Sequence, residues 1–322
     1  MDGTSGISAL PIEGELATVE VIGLDPSAHG NDAAVAAWLR ELLWQHGVFC
    51  IRLDAKLDHD DMRAVVQMFG PIKDPVGHDV DGNPVRYSDE RQIIDSGFVL
   101  TDELRESLGD VTVGGDDVRP GLFQYFHTDD SYVECPALIT VLHARALPSG
   151  GGGDTCFIDM RAAYDILDQD VRARLVGLSA EHAYNNHDAF APRSSATGDL
   201  ERLATVSHPV VRAHPATGRP ALYFDLDRAT HIRGLSDDEG RALLQSLQDH
   251  AEQRGPRYAH TWRPNDVLVW DNASVQHRAI GDFEVGEPRR FWRYMVTGPR
   301  PTPYTLSIRS TARGKSVDEP RG

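Results

Sequence analysis

The bulky apolar residues in the first quarter of the chain recur mainly at helical spacing. The segment 31–47, NDAAVAAWLRELLWQHG, carries one apolar stripe; Asn31 or Asp32 can cap its start, and Gly47 can end it. The short apolar run VFCIRL follows at once and predicts a buried strand. Segment 58–70 again has apolar residues at helical spacing. This part of the chain therefore predicts a helix, a strand and a second helix.

From about residue 123 to residue 300 the pattern changes to that of strands. Runs of apolar, β-branched and aromatic residues alternate with turn residues, as in ALITVLHARAL, HPVVRAH, PALYFDL, DVLVWDN, HRAIGDF and RRFWRYMVTG. One helix interrupts them, beginning at Ser236 with Glu239 completing a capping box. Many strands with few helices predict a jelly roll or barrel, whose enclosed mouth would hold a ligand.

The chain shows no internal repeat and no linker that would divide it. Residues 1–15 and 308–322 are expected to be polar tails, and 16–307 to form a single domain. Within that domain, the stretch 74–121 is acidic, rich in glycine and without clear periodicity. A long loop of this kind often covers an active site, so we expect 74–121 to act as a lid.

The amino-acid composition argues against several classes of binding partner. The 322 residues carry a net charge of −17, which opposes binding to nucleic acid. The sequence contains no run of eighteen apolar residues and no signal-like start, so we expect no membrane association and a cytoplasmic location. Cys50, Cys135 and Cys156 lie too far apart to indicate a disulfide framework or zinc finger. A small-molecule substrate is the expected partner, and homo-oligomer formation is left open.

The run FQYFHTDDSY contains a candidate metal-binding pair. On a strand, His127 and Asp129 would point to the same face and could grip one ion. The same spacing recurs at His59 and Asp61, but there the pattern is helical, and helix positions two apart do not face each other. Only the first pair therefore has chelating geometry.

A third ligand is available downstream in His277. Two histidines and one carboxylate form the facial triad of non-haem Fe(II) oxygenases, which leaves coordination positions open for a co-substrate and O2. The same ligands with a water molecule also describe the catalytic zinc of some hydrolases. The ligand set alone is compatible with both.

Two arginines follow on the last predicted strand. Arg289 and Arg293 flank Phe291 on one face, while Arg290 faces the other way. A guanidinium is a planar, permanently charged fork that binds carboxylates in bidentate fashion. Their position soon after His277 predicts an anion-binding site near the metal.

Five segments in order resemble the TauD/TfdA family of Fe(II)- and 2-oxoglutarate-dependent dioxygenases. They are His127-x-Asp129, GGGGDTCFIDMRAAYDIL, HPVVRAHPATGRPALYF, WRPNDVLVWDNASVQHRA and RRFWRYMVTG. The resemblance implies a mainly β fold, with a double-stranded β-helix (jelly roll, cupin-like) core and flanking α-helices. It also implies roles for individual residues: His127, Asp129 and His277 as iron ligands, Thr155 and Arg289 at the distal carboxylate of 2-oxoglutarate, and Arg293 at the substrate anion. The spacing to the arginines is shifted by one residue, which leaves an exchange of their roles open.

The resemblance further implies a reaction. Fe(II), 2-oxoglutarate and O2 would be used to hydroxylate an unactivated C–H bond of a small substrate, with release of succinate and CO2. Because Asp129 is present, hydroxylation is expected rather than the chlorination of related enzymes that lack this carboxylate. A 2-oxoglutarate sensor without turnover is the non-enzymatic alternative.

The substrate is expected to be anionic or amino-acid-like, as in specialised metabolism. His78 falls near the lid histidine of the taurine-specific member, and Ala229 falls about where that member has an aromatic ring. Both are therefore candidate substrate-binding residues, and Ala229 predicts a roomier pocket.

Overall fold

A computed structural model of the chain describes residues 6–73, 125–183, 205–284 and 287–305, together with the backbone of three short strands between residues 76 and 95. The helices within these residues are α1 (Pro26–His29), α2 (Ala33–His46), α3 (His59–Gln67), α4 (Met160–Asp165), α5 (Gln169–Leu175) and α6 (Asp237–Arg254).

Strands make up most of the rest. They are β1 (Ser8–Ile12), β2 (Thr18–Ile22), β3 (Val48–Ile51), β4 (Val76–His78), β5 (Pro84–Arg86), β6 (Gln92–Asp95), β7 (Ala137–Ala146), β8 (Thr155–Asp159), β9 (Ser179–His182), β10 (Val206–Pro209), β11 (Val211–Ala213), β12 (Pro220–Leu222), β13 (Ala229–Ile232), β14 (Arg257–His260), β15 (Val267–Asp271), β16 (Val275–Ala279), β17 (Arg290–Thr297) and β18 (Thr302–Pro303).

The largest sheet has seven strands in the order β1-β2-β3-β15-β7-β17-β6. Its central strands carry buried apolar residues on both faces because both faces are covered. On β15, Val269 packs into the cluster on one face, while Leu268 and Trp270 pack into the cluster on the other face. On β7, Val141 packs into the same cluster as Val269, and Leu142 packs into the same cluster as Leu268 and Trp270. This sheet is therefore the middle layer of the molecule.

One face of the large sheet is covered by helices. Asp32 caps α2 by accepting hydrogen bonds from the backbone of Ala34 and Val35, and Gly47 ends the helix with a φ of 79°. Helices α2 and α3 supply leucine, valine and methionine side chains to the apolar cluster on this face. The two helices predicted in this part of the sequence are confirmed.

The other face of the large sheet meets the three-stranded sheet β14-β8-β16. Phe157 of β8 and Val275 of β16 pack with Leu142, Trp270 and Phe291 of the large sheet. Two further small sheets, β10-β9-β13 and β12-β11-β18, pack with α4 and α6 around a separate apolar cluster. Two β layers enclose a common interior, so the mainly β, jelly-roll fold with flanking helices is confirmed.

Two segments differ from the sequence predictions. Ser8–Ile12, placed in the N-terminal tail, forms strand β1 and pairs with β2. It is an edge strand with Pro11 and mostly exposed side chains, so its sequence lacks the apolar alternation of a covered strand. Of the lid 74–121, only three short strands are described, and the remainder lies outside the described residues, as does the tail 308–322. No described helix is both long and apolar enough to span a membrane.

Candidate active site

The histidines of the candidate metal site are joined through their backbones. The N–H of His127 donates to the carbonyl of His277 at 3.0 Å, and the N–H of His277 donates back at 2.9 Å. This is an isolated bridge, and Asp129 follows in a turn whose next residue, Asp130, has a φ of 56°. The prediction that His127 and Asp129 share a regular strand is therefore wrong: one bridge to β16 and a tight turn bring them together.

The three side chains nevertheless converge. One ligand atom from each of His127, Asp129 and His277 lies within 4.8 Å of the others. The centroids of the two imidazole rings are 4.3 Å apart. Nδ1 of His127 lies 3.1 Å from the carbonyl oxygen of Tyr125, which favours the tautomer with its proton on Nδ1 and its lone pair on Nε2. Nδ1 of His277 is buried and has no hydrogen-bond partner in the described part of the chain. The donor set fits a divalent metal ion.

The ionisation states suit metal binding. Burial lowers the pKa of His127, and burial with the neighbouring His127 lowers the pKa of His277 to about 3. Burial alone would raise the pKa of Asp129, but His277 and Arg293 outweigh it and lower this pKa to about 2. Although His277 Nε2 lies 4.0 Å from Asp129 Oδ2, the pair at neutral pH is a neutral imidazole beside a carboxylate. Two neutral imidazoles and one anion are the forms that ligate metal.

Hydrogen bonds from the large sheet orient Asp129. The hydroxyl of Thr140 on β7 donates to Oδ2 of Asp129 at 2.6 Å and accepts from the Asn272 amide at 2.8 Å. The Trp270 indole in turn donates to the side-chain oxygen of Asn272 at 2.9 Å. The Thr128 hydroxyl donates to the backbone carbonyl of Asn272 at 2.9 Å. The sequence did not single out Thr140 or Asn272, because only the fold shows that they face Asp129.

A second polar group lies around Thr155 and Arg289, and Thr155 stands two positions along the β8–β16 ladder from the level of His277. The Arg289 guanidinium donates to the carbonyl of Gly153 at 2.9 Å and to the Thr155 hydroxyl at 3.4 Å. The Trp262 indole also donates to Thr155, at 3.1 Å. Gly153 has a φ of 74°, and a Cβ there would come within 2.8 Å of the Arg289 side chain. The glycine run before Thr155 thus leaves room for the guanidinium.

Arg289 is a buried cation. It is 3% exposed, and burial lowers its pKa to about 10, partly offset by Asp154 and Asp282, so it stays protonated at neutral pH. Burying a guanidinium is costly unless anions compensate its charge. A carboxylate bound between Arg289 and Thr155 would supply that compensation.

Arg293 lies nearer to the metal ligands. Its guanidinium is 3.6 Å from Oδ1 of Asp129. Phe291 packs in the interior cluster with β8, whereas Trp292 and Tyr294 pack toward the helices. The predicted alternation is confirmed from Phe291 to Tyr294, but Arg289 lies before the strand and the register shifts between Arg290 and Phe291.

The two candidate substrate residues are less well placed. His78 ends β4, and its side chain lies outside the described residues. Ala229 is 7% exposed and belongs to the apolar cluster around α4 and α6. The preceding residue, Arg228, extends toward the metal-bearing turn, with its guanidinium carbon 5.2 Å from the ring centre of Tyr132. The sequence analysis did not single out Arg228.

A second cluster with metal-ligand side chains occurs elsewhere in the described residues, formed by Cys50, His260 and Asp266. Asp266 accepts hydrogen bonds from the backbone of Arg263 at 2.8 Å and from the Arg52 guanidinium, and Nε2 of His260 lies 3.1 Å from it. A guanidinium already occupies the position next to the carboxylate and would repel a cation. This cluster is a structural hydrogen-bond network.

The chain is similar to proteins of known activity. The family model "Taurine catabolism dioxygenase TauD, TfdA family" matches residues 11–295 of the sequence. The chain is 34% identical over 228 residues to the alpha-ketoglutarate-dependent 2,4-dichlorophenoxyacetate dioxygenase of Cupriavidus pinatubonensis, covering 69% of this chain and 75% of that relative. It is 35% identical over 181 residues to the (S)-phenoxypropionate/alpha-ketoglutarate-dioxygenase of Sphingobium herbicidovorans, covering 54% of this chain and 62% of the relative.

A solved structure shares the fold over nearly the whole chain. The crystal structure of AAD-2 in complex with Mn(II) and N-oxalylglycine has a TM-score of 0.71 and 25% identity, covering 92% of this chain and 99% of that one. N-oxalylglycine differs from 2-oxoglutarate only by an NH in place of a CH2. The zinc-hydrolase alternative finds no support in these relatives. The chain belongs to the TauD/TfdA family and is a dioxygenase that depends on Fe(II), 2-oxoglutarate and O2.

Proposed function

We propose that this enzyme hydroxylates a C–H bond of a small organic anion. In this proposal the iron ligands are His127, Asp129 and His277. Thr155 and Arg289 bind the distal carboxylate of 2-oxoglutarate, and Arg293 binds the anionic group of the substrate. The observation that carries the proposal is the buried Arg289–Thr155 contact, which lies in the same interior as the three converging ligand side chains.

The division of labour between the two arginines follows from their neighbours. Arg289 is buried against Thr155 and Gly153, in a space closed by Trp262. Arg293 has a side chain that is 25% exposed and lies beside Asp129, where an incoming molecule could reach it. We assign the enclosed site to 2-oxoglutarate, which every turnover uses, and the accessible site to the substrate, which differs between the relatives.

The substrate class is an organic acid. The relatives named above act on phenoxy acids, which carry a carboxylate close to the carbon bearing oxygen. A guanidinium close to a metal ligand would hold such a carboxylate so that the neighbouring carbon faces the metal. Hydroxylation of a carbon bonded to oxygen gives a hemiacetal-type product that collapses into two fragments.

The residues of the chain contribute binding, orientation and exclusion of water. When bound, iron with 2-oxoglutarate and O2 supplies the oxidising power that breaks the C–H bond, and succinate and CO2 are released. Asp129 is held as an anion by Thr140 and by nearby positive charge, so the third ligand position is filled by protein. This favours hydroxylation over halogenation.

The test is succinate formation by the Fe(II)-loaded protein supplied with 2-oxoglutarate and O2 in the presence of aryloxy acids, sulfonates or amino-acid-derived acids. We expect one class to raise the rate of succinate formation at least tenfold above the rate without substrate, with a hydroxylated or fragmented product in equal amount.

The His127→Ala variant is the loss-of-function control, and His231→Ala removes a half-exposed histidine that pairs with Asp237 away from the triad. Binding of 2-oxoglutarate without succinate from any compound would contradict the proposal and favour the sensor alternative. Equal activity in the His127→Ala variant would contradict the metal-site assignment.

A further inference from the structure

A cavity of about 500 Å³ lies at the end of β7, apart from the candidate active site. Its walls include residues 144–146 of β7, part of the glycine run before β8, and the segment 261–265 that leads into β15. The described residues that line it include none of the three candidate metal ligands and neither Thr155 nor Arg289. Pockets of about 300–1,000 Å³ typically hold small molecules, so this cavity is large enough for a ligand of its own.

Trp262 forms a wall between this cavity and Thr155. The side chain lines the cavity, and its indole N–H donates to the Thr155 hydroxyl at 3.1 Å. The indole also packs against Phe291, with ring centroids 4.5 Å apart, and against His260, with ring centroids 4.6 Å apart. These contacts fix the indole, so the cavity has a rigid aromatic wall on which a flat ring could pack.

Two cationic side chains, Lys56 and Arg145, line the cavity. Nη1 of Arg145 donates to the backbone carbonyl of Leu57, the residue after Lys56, at 2.7 Å. The guanidinium carbon of Arg145 lies 3.7 Å from the ring centre of Trp292. These contacts hold the guanidinium close to the segment that carries Lys56, so the two positive charges belong to one part of the wall.

The pKa of a neighbouring histidine reflects both charges. Burial is the main cause that lowers the pKa of His143 to about 4, and the positive charges of Arg145 and Lys56 lower it further. The two cations therefore act together on the same region of the protein.

The remainder of the lining carries no negative charge. None of the described residues that line the cavity is acidic, although the chain contains 49 acidic residues. Three carboxylates accept hydrogen bonds at the glycine-rich part of the wall: Glu287 from the N–H of Ser149, Asp282 from the N–H of Gly153, and Asp154 from the Thr261 hydroxyl. A concave surface with charge of one sign attracts ions of the other sign, so a bound anion would turn its charge toward Lys56 and Arg145.

We propose that this cavity is a second binding site, which takes a small aromatic carboxylate. The carboxylate would lie near Lys56 and Arg145, and the ring would pack against Trp262 and Leu147. This site is separate from the proposed catalytic one and does not depend on the substrate assigned there.

The experiment detects binding at the cavity itself. The chain has five tryptophans, and protein labelled with 5-fluorotryptophan gives one ¹⁹F resonance for each. The labelled protein is loaded with Zn(II) and N-oxalylglycine and titrated with benzoate, and Trp262→Phe and Trp270→Phe assign the two resonances of interest. We expect the Trp262 resonance to shift saturably. The ring centroid of Trp270 lies 4.6 Å from that of His277, so its resonance reports on the active site and should stay in place.

Benzamide and two variants test the chemistry of the site. Benzamide has the shape of benzoate without its charge and should bind about fivefold more weakly or worse. Lys56→Gln should weaken benzoate binding about threefold, a small effect because Lys56 is exposed to solvent. Ala146→Phe places a ring in the cavity and should abolish the Trp262 shift with both compounds.

Arg174→Gln is the matched control for Lys56→Gln. It removes the positive charge of an exposed residue of α5 that does not line the cavity, and it should bind benzoate like the parent protein. The inference is wrong if benzoate gives no saturable shift of Trp262, or if benzamide binds as tightly. It is also wrong if Lys56→Gln weakens binding no more than Arg174→Gln does, or if Ala146→Phe still binds benzoate. A shift of Trp270 without one of Trp262 would place benzoate in the active site and would likewise contradict the inference.

Discussion

At the scale of single residues, the site consists of charged groups whose neighbours decide their tasks. Arg289 and Arg293 are four positions apart, yet Arg289, just before β17, is buried against Thr155, and Arg293, on β17, lies beside Asp129. The sequence could single out both as candidate anion-binding arginines. It could not separate their roles, because the partners of each lie more than a hundred residues away.

Two single variants test whether Arg289 and Arg293 have the roles assigned to them or the reverse. Arg289→Gln should raise the KM for 2-oxoglutarate at least tenfold and change the KM for the prime substrate little, because it removes a buried charge-assisted contact. Arg293→Gln should do the reverse. Steady-state kinetics with each compound varied in turn gives both constants, and the opposite pattern would mean that the roles are exchanged.

The hydroxyl of Thr140 should matter for metal affinity although Thr140 is not one of the proposed metal ligands. It donates to Asp129 at 2.6 Å, and loss of such an outer contact typically costs ten- to hundredfold in metal affinity. We expect Thr140→Val to weaken Mn(II) binding by about tenfold, measured by competition with a chelator. Thr140→Ser keeps the hydroxyl and should bind like the parent; equal weakening in both variants would indicate a packing effect instead.

At the scale of helices and strands, the sequence predicted features that depend on neighbouring residues and missed those that depend on residues far apart in the chain. Asp32 and Gly47 mark the two ends of α2, and Ser236 marks the start of α6, through their own side chains or φ angles; α3 was found from its apolar spacing. His127 bridges to His277, 150 residues away, and no periodicity in the flanking run could reveal that this bridge is isolated. Strand β1 was missed because an edge strand needs apolar residues on few positions.

The capping box of α6 gives a prediction at this scale. Ser236 and Glu239 satisfy each other's backbone N–H groups at the helix start, and this helix packs Leu244 and Leu247 into the core. Ser236→Ala should lower the free energy of unfolding by about 1 kcal/mol, measured by urea denaturation. Ser246→Ala, in the middle of the same helix, removes a hydroxyl that only bonds its own turn, and should cost less than half as much. Equal losses would rule out a capping effect.

At the scale of the whole molecule, burying an acid makes stability depend on pH. Burial raises the pKa of Asp225 to about 7 and Asp227 adds to the rise, while Arg228 and backbone hydrogen bonds oppose it. Because the folded pKa exceeds the unfolded value near 3.8, the folded state holds the proton more tightly. The resulting contribution to stability is complete below about pH 4 and is lost as pH rises toward 7.

Asp225→Asn should remove this dependence. Between pH 5 and pH 8 we expect the free energy of unfolding of the variant to rise relative to the parent by about 2 kcal/mol, since the parent alone must bury a charge at the higher pH. Urea denaturation at the two pH values measures the difference. Asp249→Asn alters an exposed carboxylate and should leave the pH dependence as it is; a flat difference for Asp225→Asn would contradict the raised pKa.

The pairing of β8 with β16 has a consequence for which oxo acids the enzyme accepts. His277 pairs with Phe157, and Thr155 lies two residues along the same ladder opposite Ala279. The backbones of the proposed metal ligand and of the residue proposed to bind the carboxylate are thus offset by two strand positions, about 7 Å along one hydrogen-bonded sheet, and side-chain motion does not change this offset. If the metal and Thr155 hold the two ends of the co-substrate, this fixed offset selects for chain length. We then expect the five-carbon 2-oxoglutarate to bind more tightly than the four-carbon oxaloacetate or the six-carbon 2-oxoadipate.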